Sequence, residues 1–365
     1  MKLVEITKYL ESLAPLHLQE DYDNSGLIVG NPQDEITGAL VALDCTERIV
    51  DEAIEHHCNL IITHHPIVFR GLKRFNDSTY VERVVAKAIR HRIALYAAHT
   101  NLDNIRGGVN AKIMERLGIQ NPAMLSPKGN VLKKLKVFVP ISHSEVVKNA
   151  LFAAGAGNIS NYSECSFSSS GTGTFLPNEY ALPTIGEAGR RENVQELAIE
   201  VIYPYYKERN ILIAMYESHP YEEVAYDIYS LDNSYQEVGA GMIGNLAEPQ
   251  PKETFLSFLK EQMNVQVIRH AGHKTNNIQR VAVCGGAGSF LLKNAIRAGA
   301  DVFISSDFKY HEFFDAEDKI MIADIGHFES EQFTQDLLLE VIRKKFPNFA
   351  IQITKESTNP IKYYF

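Results

Sequence analysis

The feature that most constrains this chain is an apolar run that ends in two adjacent histidines and a proline, LIITHHPIVF at residues 60–69. Its apolar residues are typical of a buried strand in a parallel sheet, and Pro66 cannot continue a hydrogen-bonded ladder. We therefore predict His64 and His65 at the carboxyl end of a central strand, which is the edge where open α/β sheets bind ligands. Two imidazoles there indicate a metal site. Taken alone, the pair also fits one histidine that caps the strand and one that is exposed.

Length and composition narrow the class of protein. A chain of 365 residues is long for one compact core, so two domains are expected. The hydrophobic share of 45% and the charged share of 22% are ordinary for a globular protein. The 45 acidic against 36 basic residues argue against sequence-independent binding to nucleic acid.

The cysteines and the amino terminus bear on the cellular compartment. The four cysteines are widely spaced and form no CxxC pair, so they indicate neither a disulfide framework nor a thiolate zinc site. The first residues carry acids and helical periodicity, unlike a signal peptide. No apolar run approaches the roughly 20 residues that span a bilayer. We expect a cytoplasmic protein that does not associate with membranes.

Hydrophobic periodicity divides the chain into an interrupted α/β domain and an insert. Strands alternate with helices in residues 1–126 and again in 243–365, which indicates mixed or parallel sheets flanked by helices. Residues 127–242 instead show the β-α-β-β-α-β order of a ferredoxin-like α+β domain, with a hairpin expected within 155–173. The predicted fold class is therefore α/β with an inserted α+β domain.

Three histidine motifs each follow a predicted buried strand. They are His64-His65, His99-xxx-Asp103 and His327-xxx-Glu331. Each of the last two alone is more typical of a strand cap or a helix surface, but the carboxyl ends of parallel strands converge, so one pocket can collect all three. Imidazoles and carboxylates together form the ligand set of a dinuclear centre, in which two ions about 3.5–4 Å apart hold a hydroxide. That chemistry favours a hydrolase.

Several motifs in order resemble one known family. They are Asp23-Asn24-Ser25-Gly26-Leu27, the Thr-His-His-Pro of residues 63–66, His99 with Leu102 and Asp103, Ser306-Asp307 with Tyr310 and His311, and Gly326-His327 with Glu331. Together they look like the GTP cyclohydrolase I type 2 homolog family, also called the Nif-three-like proteins, over residues 1–126 and 243–365. The middle stretch is similar to the CutA-like or PII-like insert of longer bacterial members, and residues 219–226 carry that likeness.

The resemblance implies a two-metal site and an assembly. The metal ligands fall on His64, His65, Asp103, His327 and Glu331, with Glu331 as the bridge. Two divalent ions per chain are implied, zinc first, with manganese or iron as alternatives. The family pattern also implies a toroidal homohexamer whose sites face an interior cavity, and a nucleotide or other small molecule as substrate. His99, Asp307 and His311 match family positions near the metals and are candidates for acid-base or supporting roles.

Two functions and several local features remain open from the sequence. The first function is a metal-dependent hydrolase, with GTP ring opening or phosphoester hydrolysis as its reaction. The second is a metal-handling or regulatory hexamer whose insert binds an effector and which performs no catalysis. The glycines at 285, 286 and 288 fit either close backbone packing beside the metals or a contact to a substrate phosphate. In the insert, His219 and Glu222 are a further metal-competent pair.

Overall fold

A computed structural model describes residues 1–272 and 277–364. The chain forms two compact units, one of Met1–Ser126 with Glu237–Phe365 and one of Pro127–Gln236. The second boundary lies at Glu237, just inside a strand that begins at Tyr235, where the sequence alone suggested 243. Among the helices in the described residues, none has the length and apolar character needed to cross a bilayer.

The first unit begins with five helices and five strands. In chain order they are α1 Leu3–Leu13, β1 Gly26–Val29, β2 Ala39–Ala42, α2 Glu47–Glu55, β3 Leu60–Thr63, α3 Tyr80–Arg90, β4 Ala94–Ala97, α4 Thr100–Asp103, α5 Val109–Arg116 and β5 Gln120–Lys128. The strands β2, β3 and β4 are buried along their whole length, as their unbroken apolar runs predict. Thr46 before an amphipathic run predicts a helix cap, and the structure confirms it, because its Oγ1 accepts a hydrogen bond from the Ile49 amide at the start of α2.

The chain then passes through the second unit and returns to the first. The second unit contains β6 Leu132–Pro140, α6 Ser144–Ala153, β7 Ser166–Phe175, β8 Glu192–Pro204, α7 Glu208–Ser218 and β9 Tyr226–Ser230. The returning part contains β10 Tyr235–Pro251, α8 Lys252–Gln262, β11 Arg269–Ala271, β12 Asn277–Ala287, α9 Leu292–Arg297, β13 Val302–Ser306, β14 Met321–Asp324, α10 His327–Glu331, α11 Thr334–Lys345 and β15 Ile351–Ile353.

Two mixed sheets organise the first unit. The five-stranded sheet has the order β1-β4-β3-β2-β15, and all its pairs are parallel except β1 with β4. The six-stranded sheet has the order β11-β14-β13-β12-β10-β5, with a parallel centre of β12, β13 and β14. One hydrophobic core joins both sheets to α1, α5, α8 and α11, while α2 and α3 cover the other face of the first sheet. The fold is thus mixed α/β with sheets flanked by helices.

The second unit is a four-stranded antiparallel sheet with two helices. Its order is β7-β8-β6-β9, and the elements follow one another as β-α-β-β-α-β, which is the ferredoxin-like pattern. Alternate residues of β6 and β8, such as Val137 and Ile199, pack with Val147 of α6 and Ile211 of α7 in one core. The opposite face of the sheet has no helix against it within this unit.

Two predicted elements were wrong in detail. Residues 155–173 do not form a hairpin, because the serine- and glycine-rich strand β7 pairs with the distant β8. The residues after β14 predict one helix that runs to about Lys345, but the structure breaks it into α10 and α11. The glycines at 285, 286 and 288 predict a helix that begins near Phe290, and a 3-10 turn at Ser289–Leu291 followed by α9 confirms it, although β12 first runs through Gly285 and Gly286 to Ala287. The sequence reading also missed the strands β5, β11 and β15, two of which are only three residues long.

Candidate metal centre

The polar residues singled out from the sequence lie where the carboxyl ends of both sheets of the first unit meet. His64 and His65 follow β3, and His99 and Asp103 follow β4, all in the five-stranded sheet. His327 and Glu331 form the first and last residues of α10, directly after β14 of the six-stranded sheet. The site is therefore built from two sheets, whereas the sequence reading treated it as one sheet edge.

The two adjacent histidines point their Nε2 atoms into the same site from different supports. His64 is fully buried, and its Nδ1 donates a hydrogen bond of 2.7 Å to the Ala98 carbonyl. Because a carbonyl can only accept, that bond leaves the Nε2 lone pair of His64 facing the site. The Nδ1 of His65 lies 2.8 Å from an Asp44 carboxylate oxygen. The alternative of one capping and one exposed histidine is not what the structure has.

The Glu331 carboxylate connects the imidazoles. Its Oε1 lies 3.6 Å from His64 Nε2, while its Oε2 lies 3.0 Å from His65 Nε2 and 3.2 Å from His327 Nε2. The His65 and His327 Nε2 atoms are 3.3 Å apart. One carboxylate thus faces three imidazoles with two different oxygens, which is the geometry of a bridging ligand.

The donor atoms fall into overlapping trios whose atoms lie within 4.8 Å of one another. One trio is His65, His327 and Glu331, a second is His64, Asp103 and Glu331, and a third is His64, His65 and His99. The first two trios share Glu331. The His64 Nε2 and Asp103 Oδ1 atoms are buried and 3.6 Å apart, and within the described residues neither has a hydrogen-bond partner. Orphaned buried donors and acceptors of this kind fit cation ligands. These groups could hold metal ions.

Burial and neighbouring charges shift the pKa values of the titratable groups in the site. Burial opposes a proton on His65, but hydrogen bonds to Asp44 and Glu331 outweigh it and raise its pKa to about 10. For the same reasons, with Glu331 and Asp307 as partners, the pKa of His327 is raised to about 9. Burial alone would raise the pKa of Glu331, yet the imidazoles hold it well below its usual range. Burial and the Glu331 charge raise the pKa of Asp103 to about 8.

Three acceptors outside the predicted ligand set orient the imidazoles. The Ala98 carbonyl holds His64, Asp44 holds His65, and Asp307 Oδ2 lies 2.6 Å from the Nδ1 of His327. Metal-bound histidines normally have such a partner on their other nitrogen. Sequence reasoning named Asp307 but missed Asp44. Asp44 lies two residues after the buried strand β2, so the strand-end rule that predicts His64 could also have identified this aspartate.

His99 is held by a carboxylate at the edge of the site. Its Nδ1 lies 2.8 Å from Asp23 Oδ1, and its ring packs edge-on against His64, His65 and Phe69. Burial opposes the charge on Asp23, but hydrogen bonds from His99, Thr100 and Ser25 hold its pKa well below the usual value. The other ring nitrogen of His99 therefore faces the donor atoms of His64 and His65.

The glycine run serves backbone packing beside the site. A Cβ at Gly286 would lie 2.4 Å from Glu331 Oε1, and its φ of +63° also favours glycine. The Gly285 amide donates to Asn110 Oδ1, and the Gly286 amide donates to Ser330 Oγ. Because both amides already have partners, neither is available to a phosphate, and these contacts favour the close-packing interpretation.

Two further candidates lie apart from the donor trios. His311 is exposed in a 3-10 helix, with its ring 5.1 Å from that of Tyr310, and in the described residues no hydrogen bond joins it to the five candidate ligands. In the second unit, both ring nitrogens of His219 are engaged, since Nε2 donates to the Phe138 carbonyl and Nδ1 accepts from the Tyr221 amide. His219 therefore has no free nitrogen for a metal.

Comparison with known families gives one match that covers nearly the whole chain. The model of the Duf34/NIF3 (NGG1p interacting factor 3) family matches residues 1–360. Among curated relatives, the "GTP cyclohydrolase 1 type 2 homolog" of Halalkalibacterium halodurans is 39% identical over 363 residues, covering 98% of each chain. The protein of the same name from Bacillus subtilis is 38% identical, also over 98% of each chain.

Solved structures agree with the family match. A Bacillus cereus protein related to NIF3 superimposes with a TM-score of 0.87 at 40% identity, covering 100% of this chain and 99% of that one. A Staphylococcus aureus protein gives a TM-score of 0.79 at 28% identity, with the same coverage. The similarity therefore extends over both units.

Proposed function

Because this chain belongs to the Duf34/NIF3 family, we propose that it is a metal-dependent hydrolase that holds two divalent ions and acts on a nucleotide or a related phosphoester. The observation that carries the proposal is that two donor trios share one carboxylate, that of Glu331. A shared carboxylate is the usual bridge between paired metal ions in hydrolytic sites.

The chain's own residues would divide between two ions. His65 and His327 would hold one, His64 and Asp103 would hold the other, and Glu331 would contact both. Mixed nitrogen and oxygen donors suit zinc, with manganese and iron as alternatives. The ions, when bound, would supply Lewis acidity and a nucleophile that exists at neutral pH. With three protein donors for each ion, the site would leave room for water or substrate, and this would favour catalysis over a purely structural role.

The surrounding residues would orient the ligands and handle protons. Asp44 and Asp307 fix the ring planes of His65 and His327, so that both Nε2 atoms face the ions. Asp23 accepts the Nδ1 proton of His99 and keeps the other nitrogen of that ring able to take and return a proton. We assign the general acid-base role to His99 ahead of the exposed His311.

The substrate proposal rests on the names of the relatives and the chemistry of the site. Relatives named "GTP cyclohydrolase 1 type 2 homolog" direct attention to GTP and other nucleotides. Ring opening of a guanine nucleotide and hydrolysis of a phosphoester both need an activated water and a polarised acceptor, so the same site serves either reaction. Family membership transfers a site more safely than a substrate, which makes a panel necessary.

A panel of nucleotides and phosphoesters on metal-defined protein tests the enzyme proposal. We expect turnover by the wild type with zinc, manganese or iron, and loss of at least about 1,000-fold in His65→Ala and Glu331→Ala, because both remove ligands. His91→Ala just after α3 and Glu55→Ala at the end of α2 alter exposed residues, serve as matched controls and should retain activity. If wild type and both ligand variants turned over every compound equally, the proposal would be wrong.

The second candidate function is a metal-handling or regulatory assembly without catalysis. A cavity in the second unit favours an effector-binding role for that unit, which its ferredoxin-like element order makes comparable to CutA-like or PII-like modules. Absence of turnover together with two tightly bound ions would favour this candidate over the hydrolase.

We also propose that the chain assembles as a toroidal homohexamer with the metal sites facing an interior cavity. Exposed large apolar side chains on the first unit, among them Phe69, Phe75, Tyr310 and Phe314, support burial against other copies. Light scattering after size-exclusion chromatography should give the mass of six 41.0 kDa chains. A monomer at micromolar concentration would contradict the proposed hexamer but would not contradict the proposed metal site.

A further inference from the structure

The second unit contains a cavity that the metal chemistry does not use. It has a volume of about 720 Å³ and lies on the sheet face opposite the two helices. Side chains alternate along a strand, so Val137 and Ile199 face the helices while Lys136, Phe138 and Ala198 face the cavity. This face would otherwise be an open sheet surface.

The cavity exists because small residues floor it. Gly171 and Gly173 on β7 and Ala198 on β8 all line it. A Cβ at Gly171 would meet no atom within 4 Å, so the space above this residue is open. At Gly173 the position of a Cβ is filled by the Glu196 carboxylate, 2.1 Å away. The pattern of glycines therefore makes room both for the cavity and for one acid.

Glu196 is the polar centre of the cavity. It is only 8% exposed, and one of its oxygens accepts a hydrogen bond of 3.0 Å from the Tyr221 hydroxyl. The lysine of the cavity, Lys136, lies 3.7 Å from Glu200 instead. A carboxylate has about four acceptor positions, so Glu196 can accept N–H donors in addition to the Tyr221 hydroxyl. A ligand with N–H groups would provide them.

Aromatic rings and a closing segment shape the rest of the cavity. Phe138, Phe175 and Tyr221 line it, and the Phe175 and Tyr221 rings pack edge-on with centroids 5.9 Å apart. Such walls favour a flat aromatic ligand. The closing segment is residues 181–185, in which Ala181, Pro183 and Ile185 line the cavity and are half-buried while Leu182 is exposed.

Two hydrogen bonds anchor this closing segment to the turn at 220–222. The Leu182 amide donates to Glu222 Oε1 at 2.9 Å, and the Thr184 hydroxyl donates to the Pro220 carbonyl at 2.6 Å. The closing segment is therefore tied to the turn that carries Tyr221, and such a fixed lining is expected of a preformed ligand site.

We propose that this cavity binds a planar nitrogen heterocycle whose edge carries two neighbouring N–H donors, the edge that guanosine presents with its ring N–H and 2-amino group. The paired donors meet the Glu196 carboxylate and the ring lies between the aromatic walls. Glu222 and Glu223 add negative charge at the lining, which disfavours a triphosphate and favours the uncharged nucleoside. This assignment goes beyond the hydrolase proposal and does not depend on it.

Calorimetric titration of the full-length protein with guanosine, inosine and adenosine tests the assignment. Guanosine should bind. Inosine should bind at least about 10-fold more weakly, because it lacks the 2-amino group and therefore leaves one hydrogen bond to the carboxylate unmade. Adenosine presents a ring acceptor beside its amino group and should also bind at least about 10-fold more weakly.

Two variants distinguish the cavity from other binding surfaces. Glu196→Gln should weaken guanosine at least about 10-fold. Gly171→Val should abolish binding without disturbing the fold, because its side chain would enter open space on a strand that tolerates β-branched residues. Glu145→Gln, on the exposed side of α6, is the matched control and should bind as the wild type does. Metal content should be unchanged in all three variants.

The outcomes separate cleanly. Guanosine binding that is lost in Glu196→Gln and Gly171→Val supports the assignment, whether or not the protein proves to be a hydrolase. Equal affinity for all three nucleosides, or binding that both variants retain, would overturn it. The absence of any guanosine binding to the wild type at millimolar ligand would also overturn it.

Discussion

The metal centre of the first unit and the cavity of the second are built in opposite ways. The candidate metal centre is formed by many side chains, since four imidazoles and two carboxylates converge there from strand ends. The cavity is formed by the lack of large side chains, because glycines and an alanine leave room above a sheet and one glutamate occupies part of that room. The first kind of site can be recognised from its residue types, whereas the second is marked only by small residues.

This difference determines how each site should respond to substitution. In the metal centre, removing a donor should remove an ion, while in the cavity, adding atoms should remove a ligand. One residue, Gly286, links the two principles, because it is an omitted side chain that makes room for the donor Glu331.

The largest effect is expected at the shared carboxylate. Glu331→Gln should reduce bound metal from two ions per chain to nearly none, because both trios lose a charged ligand. Asp103→Asn and His327→Ala should each retain one ion, since each belongs to only one of those two trios. Elemental analysis of protein purified without chelator measures the stoichiometry. Retention of one ion by Glu331→Gln would show that the carboxylate does not bridge.

The next largest effect is expected from a single added methyl group. Gly286→Ala places a Cβ 2.4 Å from Glu331 Oε1 and forces an unfavourable φ, so metal affinity should fall by about 100-fold. Competition with a chromogenic chelator measures that affinity. Gly107→Ala, where a Cβ would meet nothing within 4 Å, is the control in the same unit. Equal affinities in the two variants would contradict the packing role of Gly286.

A smaller effect is expected from the residues that orient the imidazoles. Asp44→Asn and Asp307→Asn should weaken metal binding by about 10- to 100-fold, because the rings of His65 and His327 lose a charged partner. Asp44 should matter more, since its side chain is 36% exposed against 51% for Asp307. The exposed Asp51→Asn on α2 is the control, and the same chelator competition provides the measurement. An effect of Asp51→Asn as large as the others would point to net charge rather than orientation.

The smallest effect is expected in the second unit and has opposite signs at two neighbouring glycines. Gly173→Ala should destabilise the unit by about 0.5–1.5 kcal/mol, because its Cβ displaces the Glu196 carboxylate and breaks the hydrogen bond from Tyr221. Gly171→Ala should stabilise it by about 0.5–1 kcal/mol, since the added methyl group meets only open space and restricts the unfolded chain. Chemical denaturation of the full chain measures both. Equal changes in the two variants would show that the cavity floor is not as described.

Much of the first unit could be predicted because its signals are local. The apolar run before His64 predicts a buried strand, and Thr46 before Glu47 predicts a helix start, and both are confirmed. The candidate ligands of the metal site follow from the same rule, since polar residues after buried strands gather at one edge. That rule could not show that two sheets supply them, because strand order is a property of pairing and not of any one strand.

The failures arise where pairing partners are distant or residues are small. The serine- and glycine-rich β7 carries little strand propensity of its own and is held by its ladder with β8, so residues 155–173 were wrongly taken as a hairpin. The short β15 is a strand because it pairs with β2 from the far end of the chain. No local pattern reports such a pairing. The cavity of the second unit was missed because a sequence does not mark an empty volume.

The composition of the metal centre sets an order of events during synthesis. His65 and His327, whose Nε2 atoms face each other, are separated by 262 residues. At the usual rate of about 5–20 residues per second, roughly 13–52 seconds pass between the appearance of the twin imidazoles on the ribosome and that of their partner. The strand β15, which completes the first sheet, emerges later still. Metal binding by the full donor set would therefore follow synthesis of nearly the whole chain, because Glu331 joins His64 and His65 only then.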